Sequence, residues 1–286
     1  MRLTAILLLV MTSPSLAEVP RVLTDFGPVQ SLVSDVMGEL GSPVAMLPAG
    51  SDPHDFQLRP SQAASLAGAD LIFWVGPELV PTLGDALNAL APQAKIVTLL
   101  SEGGSPQRHF SDGAVDPHAW LDPTIAISWL KAIERDLSAK DPEHAATYAA
   151  NAARATLGLQ ALDHDLAAML APVRTRPFVT YHDAFGYFAD HYGLAQAGAI
   201  QLSDASSPSA AQLAKVRDIL AASSAICVFP EAGRDPKFIA SLTEGLQVTI
   251  GAAQDIEFVA TVAGPGQYEV LLRALGAGLV DCLSRD

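Results

Sequence analysis

"DPEHAATYAANAARATLGLQALDHDLAAMLAP", Asp141 to Pro172, opens on Asp-Pro and meets no further proline until its last residue. An aspartate before a proline in the first turn is a helix start, because the side chain can cap the open amides and proline lacks only a donor that is unused there. Leu159, Leu162, Leu166 and Met169 then recur at helical spacing, with Asp163, His164 and Asp165 falling largely between them. The spacing predicts one long helix. A flexible linker would be richer in Gly, Ser or Pro, so the segment reads as a rigid connector that holds two lobes in a nearly fixed relation with a cleft between them. The expected division is residues 18–140 for the N-terminal lobe, 141–172 for the connecting helix and 173–286 for the C-terminal lobe.

On either side of the connector, short apolar or β-branched runs alternate with helical patterns. Strands are expected at Arg21–Phe26, Pro43–Leu47, Leu71–Val75 and Lys95–Leu99, and again at Phe178–Tyr181, Ala197–Ile200, Ala225–Phe229 and Gln247–Ile250. Helices are expected at Val29–Leu40, Ser61–Ala67, Ser209–Ala222 and Gln267–Leu283. Such alternation argues for an α/β fold whose two lobes each carry a mostly parallel sheet flanked by helices. The chain of 286 residues is long enough for two lobes with separate cores.

Residues 1–17 read as a signal peptide rather than as part of the fold: Arg2 is a positive start, Leu3–Met11 an apolar stretch, and Ser15-Leu16-Ala17 a small-x-small cleavage site. That apolar stretch is too short to span a bilayer, and no cysteine stands near the cleavage site to take a lipid. The expected product is a soluble, exported, periplasmic protein. Removing Arg2 from the 17 Lys and Arg leaves 16 against 31 Asp and Glu, a formal charge of −15, which argues against nucleic acid or an anionic membrane as partner. Cys227 and Cys282 are the two cysteines. In an oxidising compartment an even pair is most simply one structural disulfide, and the count excludes a Cys-rich zinc site.

Three histidines stand in loops that flank such strands. His54 lies in "GSDPHDFQLRP" (Gly50–Pro60), His118 in "DPHAWLDP" (Asp116–Pro123), and His182 in "YHDAFGYFADHYGL" (Tyr181–Leu194). Ligands of open parallel sheets collect beyond the carboxyl ends of the strands, where His54 and His182 are placed. Imidazole is the commonest protein ligand for Zn²⁺. Each histidine alone is more readily a satisfied structural residue; the three together bring metal binding level with that reading. His144, His164 and His191 are assigned solvated or packing roles, and Trp74, Trp120 and Trp129 are assigned to packing.

These stretches, with "LPAGSDPHDFQLRPSQAASLAGADLIFWVGPELVPTL" (Leu47–Leu83), "NAARATLGLQALD" (Asn151–Asp163) and "ICVFPEAGRDPKFIASL" (Ile226–Leu242), resemble in order the signatures of the zinc-binding substrate-binding proteins of ABC transporters, the ZnuA-like members of cluster A-I. The resemblance implies two α/β lobes bridged by one long helix, with the metal in the interlobe cleft. It places His54, His118 and His182 at the family's three histidine ligands; manganese and iron relatives usually carry glutamate where His182 stands, so nitrogen there points to zinc. Counting back from Tyr268, the resemblance puts Asp255 at the fourth ligand, with Glu257 or water as the competitors, because "AAQDIEFVATVAGPGQY" (Ala252–Tyr268) departs from the family pattern around it. Cys227 and Cys282 match a cysteine pair of some zinc members, and their bridge would tie the last helix to the second sheet.

The implied function is capture of one Zn²⁺ per chain and its delivery to a membrane ABC permease for import, by a monomer that a periplasmic zinc chaperone could supply. Asp183 beside His182, and Asp116 or Asp122 around His118, are candidates to orient the ligand imidazoles, with helix capping the equal alternative. The stretch Ser101–Val115 is expected to be a mobile surface loop; it carries only His109, where zinc members often have a long His-rich insertion. The alternatives are a binder of Mn²⁺ or Fe²⁺ on the same fold, and a periplasmic zinc hydrolase. An enzyme is not expected, since H-E-x-x-H, G-x-S-x-G and a phosphate-cradling glycine loop are all missing from the sequence.

Overall fold

The computed structural model describes residues 18–48, 51, 53, 56–102, 107–201, 209–222, 225–257 and 264–285. The connector begins three residues later than its proline suggests. Pro142–His144 form a 3₁₀ turn, the α-helix proper (α6) spans Ala145–Leu170, and Ala171–Val173 close with another 3₁₀ turn. Asp141 does not cap α6 through its side chain. Its carboxylate instead accepts from the Tyr148 hydroxyl at 2.9 Å and lies 2.7 Å from His144 Nδ1.

Before the connector come β1 (Val22–Thr24), α1 (Gly27–Met37), β2 (Val44–Ala45), α2 (Pro60–Ala67), β3 (Leu71–Trp74), α3 (Pro81–Leu90), β4 (Lys95–Thr98), α4 (Leu99–Glu102) and α5 (Pro123–Lys140). After it come β5 (Phe178–His182), α7 (Gly186–Tyr192), β6 (Gln196–Gln201), α8 (Ala210–Ala222), β7 (Cys227–Phe229), α9 (Pro236–Thr243), β8 (Thr249–Ile250) and α10 (Gln267–Leu283). All eight expected strands form. They assemble as two parallel sheets of identical plan, β2-β1-β3-β4 and β6-β5-β7-β8. Each βαβ step returns the chain to the same end of the sheet, so the loops that follow the strands gather on one edge.

The expectation of separate cores is corrected. One apolar cluster runs from the first sheet through α1, α5, α6 and α10 to one face of the second sheet, where it includes Phe178, Cys227 and Phe229. A smaller cluster on the opposite face holds Val179, Ile200, Val216 and Val228. The division follows from strand periodicity, which sends Phe178 and Val179, or Val228 and Phe229, to opposite faces. The halves are also pinned by α10. Its Tyr268 amide donates to Ser31 Oγ of α1 at 2.9 Å, the same hydroxyl donates to the Gly264 carbonyl at 2.7 Å, and the Gly266 amide donates to Asp35 at 2.8 Å. Further along, Gly276 lies so close to α6 that a Cβ there would stand 2.6 Å from Leu166 Cδ2.

Cys227 and Cys282 form a disulfide, which ties α10 to β7. No helix among the described residues is long and apolar enough to cross a membrane.

Candidate metal centre

The segment that carries His118 is built for rigidity. Asp116 Oδ1 accepts from the His118 amide at 3.0 Å and lies 2.7 Å from His118 Nδ1, so one carboxylate oxygen holds both backbone and ring. Both residues are fully buried. The next residues, Ala119–Leu121, make a 3₁₀ turn into α5, which Asp122 caps by accepting from the Thr124 amide at 2.7 Å. Trp120 packs against Phe26 and the His118 ring, with centroids 4.7 Å and 5.1 Å away. Its Nε1 donates to the Ile256 carbonyl at 3.0 Å, and its own carbonyl accepts from the Tyr268 hydroxyl. The packing role expected of Trp120 therefore includes a bond across to the second half of the chain.

His182 is the last residue of β5 and is buried. Its carbonyl accepts from Thr180 Oγ1 at 2.8 Å, and its Nδ1 lies 3.2 Å from Glu231 Oε2. Glu231 follows β7, the strand next to β5, and also accepts from Arg234 Nε at 3.2 Å. Burial opposes ionisation of Glu231, but contact with His182 and Arg234 holds its carboxyl below the usual range. Asp183, the other candidate to orient His182, is pushed upward by burial, and its amide donates to the Gln201 carbonyl.

The two imidazoles meet nearly at right angles, with centroids 4.7 Å apart and planes at 82°. Glu257 completes the group: its Oε1 stands 4.0 Å from His118 Nε2, and one ligand atom from each of His118, His182 and Glu257 lies within 4.8 Å of the others. With each Nδ1 facing a carboxylate, Nε2 is the nitrogen that can meet a cation, an arrangement common to metal-binding histidines. Donors of a tetrahedral zinc at about 2.0–2.1 Å stand roughly 3.3 Å apart. The group is slightly wider than that shell, and a bound ion would draw it inward.

Asp255 lies outside this group and lines a small cavity with Ala253, Val270, Ala274 and Gly278 against α10. The chain turns at Ile256 and Glu257, and Asp255 is half-buried where Glu257 is buried. His54 lies outside the described residues; Phe56, two positions on, is buried and its carbonyl accepts from Thr82 Oγ1 at 3.0 Å. Asp122 belongs to a different network, with His191 Nδ1 at 3.4 Å and Asp163 on the far ring nitrogen at 2.7 Å.

The stretch expected to be a mobile surface loop carries local structure where it is described, and residues 111–114 are exposed at the surface. Ser101 and Glu102 end α4, and residues 107–115 form a small hairpin in which the Phe110 amide donates to the Ala114 carbonyl at 2.8 Å and His109 bridges Val115. The hairpin is held by Arg108, and it sets Phe110 beside His118 at 6.3 Å between ring centroids. His109 itself is exposed.

Comparison with known proteins adds the following. The family model described as "ZnuA: Zinc-uptake complex component A periplasmic" matches residues 22–282. A high-affinity zinc uptake system protein ZnuA of Paracoccus denitrificans is 44% identical, over 96% of this chain and 94% of its own. The protein of the same name from Brucella suis is 30% identical over 92% of each chain. Among solved structures, a periplasmic metal binding protein from Candidatus Liberibacter asiaticus shares the fold with a TM-score of 0.82 at 22% identity, covering 92% of this chain and 99% of its own. A crystal structure of ZnuA gives 0.81 at 23% identity with the same coverage.

Proposed function

The chain belongs to the ZnuA family, the periplasmic component A of zinc-uptake complexes, and from that premise we propose that it captures one Zn²⁺ per chain in the cleft and delivers it to a membrane ABC permease for import. The observation that carries this reading is the buried group of His118, His182 and Glu257, in which each imidazole is already oriented by a carboxylate behind it. His54 supplies the third nitrogen. Glu257 supplies the fourth donor in place of Asp255, and its charge offsets part of the dication's. Nitrogen at position 182 favours zinc over the harder manganese. Residues 18–140 and 173–286 act as the lobes, residues 141–172 connect them, and residues 1–17 are removed on export.

Such a site suits binding rather than hydrolysis, because four protein donors leave no coordination position for an attacking water. Release then requires the donors to part. Permease docking shifts the second lobe and draws His182 and Glu257 away from His54 and His118. Low pH also favours release, since ligand histidines must be neutral to hold the ion.

The test is calorimetric titration of the chelator-stripped mature protein with zinc and with manganese, beside Glu257→Ala, Asp255→Ala and His182→Glu. One zinc per chain is expected, with manganese much weaker. Glu257→Ala should cost at least tenfold in affinity, Asp255→Ala little, and His182→Glu should narrow the gap between the metals. Absence of stoichiometric zinc in the parent would sink the transport reading, while a large loss confined to Asp255→Ala would return the fourth position to that residue.

A further inference from the structure

Each described ligand histidine is backed by a carboxylate, and each carboxylate by an arginine, but the two arginines differ in reach. Arg234 sits three residues from Glu231 and lies over the Tyr181 ring, both in the second half of the chain. Arg108 stands on the hairpin of the first lobe and spans both. Its Nη1 donates to Asp116 Oδ2 at 2.9 Å, on the carboxylate whose other oxygen holds His118. Its Nε donates to Asp190 Oδ2 at 3.0 Å, and its amide donates to the Tyr187 hydroxyl at 2.8 Å. Tyr187 and Asp190 belong to α7, which begins four residues after His182. The guanidinium lies flat against the start of that helix in a space that exists because residue 186 is glycine; a Cβ there would overlap the Arg108 head group.

Resting on the metal site proposed above, we propose that Arg108 is a positioning residue that latches the lobes together behind the site. Through Asp116 it fixes the ring of His118, and through Tyr187 and Asp190 it holds the helix that follows His182. The segments bearing the two ligands cannot separate while it is in place. The hairpin of residues 107–115 is thus a strap whose opening accompanies release of zinc, and the role of this loop lies in its arginine rather than in its histidine. Planar geometry is essential to the role, because a guanidinium can donate in two directions at fixed angles whereas an ammonium acts as a point charge.

Gly186 supplies a probe that separates positioning from stability. In Gly186→Ala the clashing atoms are the far end of a flexible side chain, so the fold can accommodate the methyl by expelling Arg108. Alanine is also the better helix residue. The unfolding midpoint of the metal-free protein should therefore fall less in this variant than in Arg108→Gln, although both lose the ion pairs to Asp116 and Asp190. The experiment measures zinc dissociation by chelator competition in stopped flow, and the metal-free unfolding midpoint, for the full mature chain and for Gly186→Ala, Arg108→Gln and Arg108→Lys. Arg273→Gln, which removes an exposed ion pair to Asp165 on the connector, serves as control.

Gly186→Ala and Arg108→Gln should each speed dissociation by on the order of tenfold, the lower end of what loss of an outer partner costs a metal site. Arg108→Lys should recover only part of the difference, and the control none of it. Parental dissociation rates in both Gly186→Ala and Arg108→Gln would overturn the latch while leaving the metal site intact. Faster release that merely tracks a fall in unfolding midpoint across all variants, the control included, would also overturn it. A parent chain that binds no zinc would instead remove the metal site, and the latch with it.

Discussion

In the first sheet β1 runs directly into Asp25, whose buried carboxylate is spent on the backbone: it accepts from the Phe26 amide at 2.9 Å and from the Val75 amide at 2.7 Å. In the second sheet the equivalent strand, β5, ends in His182, and its neighbour β7 leads to Glu231. The strands pair in the same way, Val22 with Leu71 and Phe178 with Cys227. What differs is the company each acid keeps. Burial, only partly offset by the amide donors, pushes Asp25 up to about 7, whereas His182 and Arg234 hold Glu231 below the ordinary range despite its burial. One strand order therefore makes two kinds of edge. The first is closed by backbone bonds and by the Phe26–Trp120 contact, and the second carries a buried imidazole and carboxylate set against each other. Topology supplies the place for a ligand, and the side chains at the strand ends decide whether the place is used.

The largest expected effect breaks the comparison at its covalent difference. Leu71 stands in the first sheet where Cys227 stands in the second, and only the cysteine is bridged to a helix. The bridge closes a separation of 55 residues, for which chain entropy alone gives about 4 kcal/mol. Cys227→Ser with Cys282→Ser should lower the stability of the metal-free protein by about that amount in denaturant unfolding. A loss under about 1 kcal/mol, a quarter of the chain-entropy figure, would mean that packing of α10 on β7 already fixes the second sheet.

The next effect lies in the first sheet and is a matter of pH. A carboxyl whose folded pKa is about 7 against an ordinary 3.8 binds its proton more tightly when folded. Its contribution to stability is complete below 3.8, declines as pH rises between the two values and is lost above about 7. The amide introduced by Asp25→Asn does not titrate. Unfolding of metal-free parent and Asp25→Asn at pH 5 and pH 8 should show the parent losing about 3 kcal/mol relative to the variant over that interval, on the usual conversion of pKa into free energy. A difference that does not change with pH would mean that the two amide donors keep Asp25 ionised throughout.

The eight strands are legible because each is a short apolar run bounded by Gly, Pro or polar residues, and α10 is legible to the residue because its amphipathic pattern is uninterrupted from Gln267 to Leu283. The start of α6 falls three residues beyond the predicted one, since a proline after aspartate is equally suited to a 3₁₀ turn. Where reading fails more seriously, the missing information is spatial. Nothing local marks Glu231 as the partner of His182. It becomes visible only once β5 and β7 are known to be neighbours, which puts the residues just beyond them side by side. Asp255 and Glu257 are two apart and chemically alike, and only the packing of the chain shows which of them stands near His118 and His182. The hairpin of residues 107–115 reads as a loop because its order comes from Arg108 bonding to residues 79 and 82 positions away.

The smallest expected effect concerns the junction between the two sheets, where His191 of α7, expected only to pack or to face solvent, is an ionic hub. Its Nδ1 faces Asp122, the cap of α5 in the first half, and its Nε2 faces Asp163 of α6, which also accepts from the Tyr192 hydroxyl at 3.0 Å. Hydrogen bonding to Asp122, against the opposing cost of burial and with help from Asp163, raises the imidazole to about 9. A raised histidine contributes all of its stability below its unfolded value of 6.5 and loses it as pH climbs through 9. The side chain is partly open to solvent, which screens the pair, so the expected contribution is only about 1 kcal/mol. In metal-free protein, the stability gap between parent and His191→Gln should shrink by that amount from about pH 6 to about pH 10, the interval that brackets both values. Zinc affinity measured near neutral pH should move less in this variant than in Arg108→Gln, because His191 bonds Asp122 and Asp163 rather than Asp116 or Glu231. Equal losses of affinity in the two variants would mean that holding α7 by any means suffices, and that the bond from Arg108 to Asp116 adds nothing of its own.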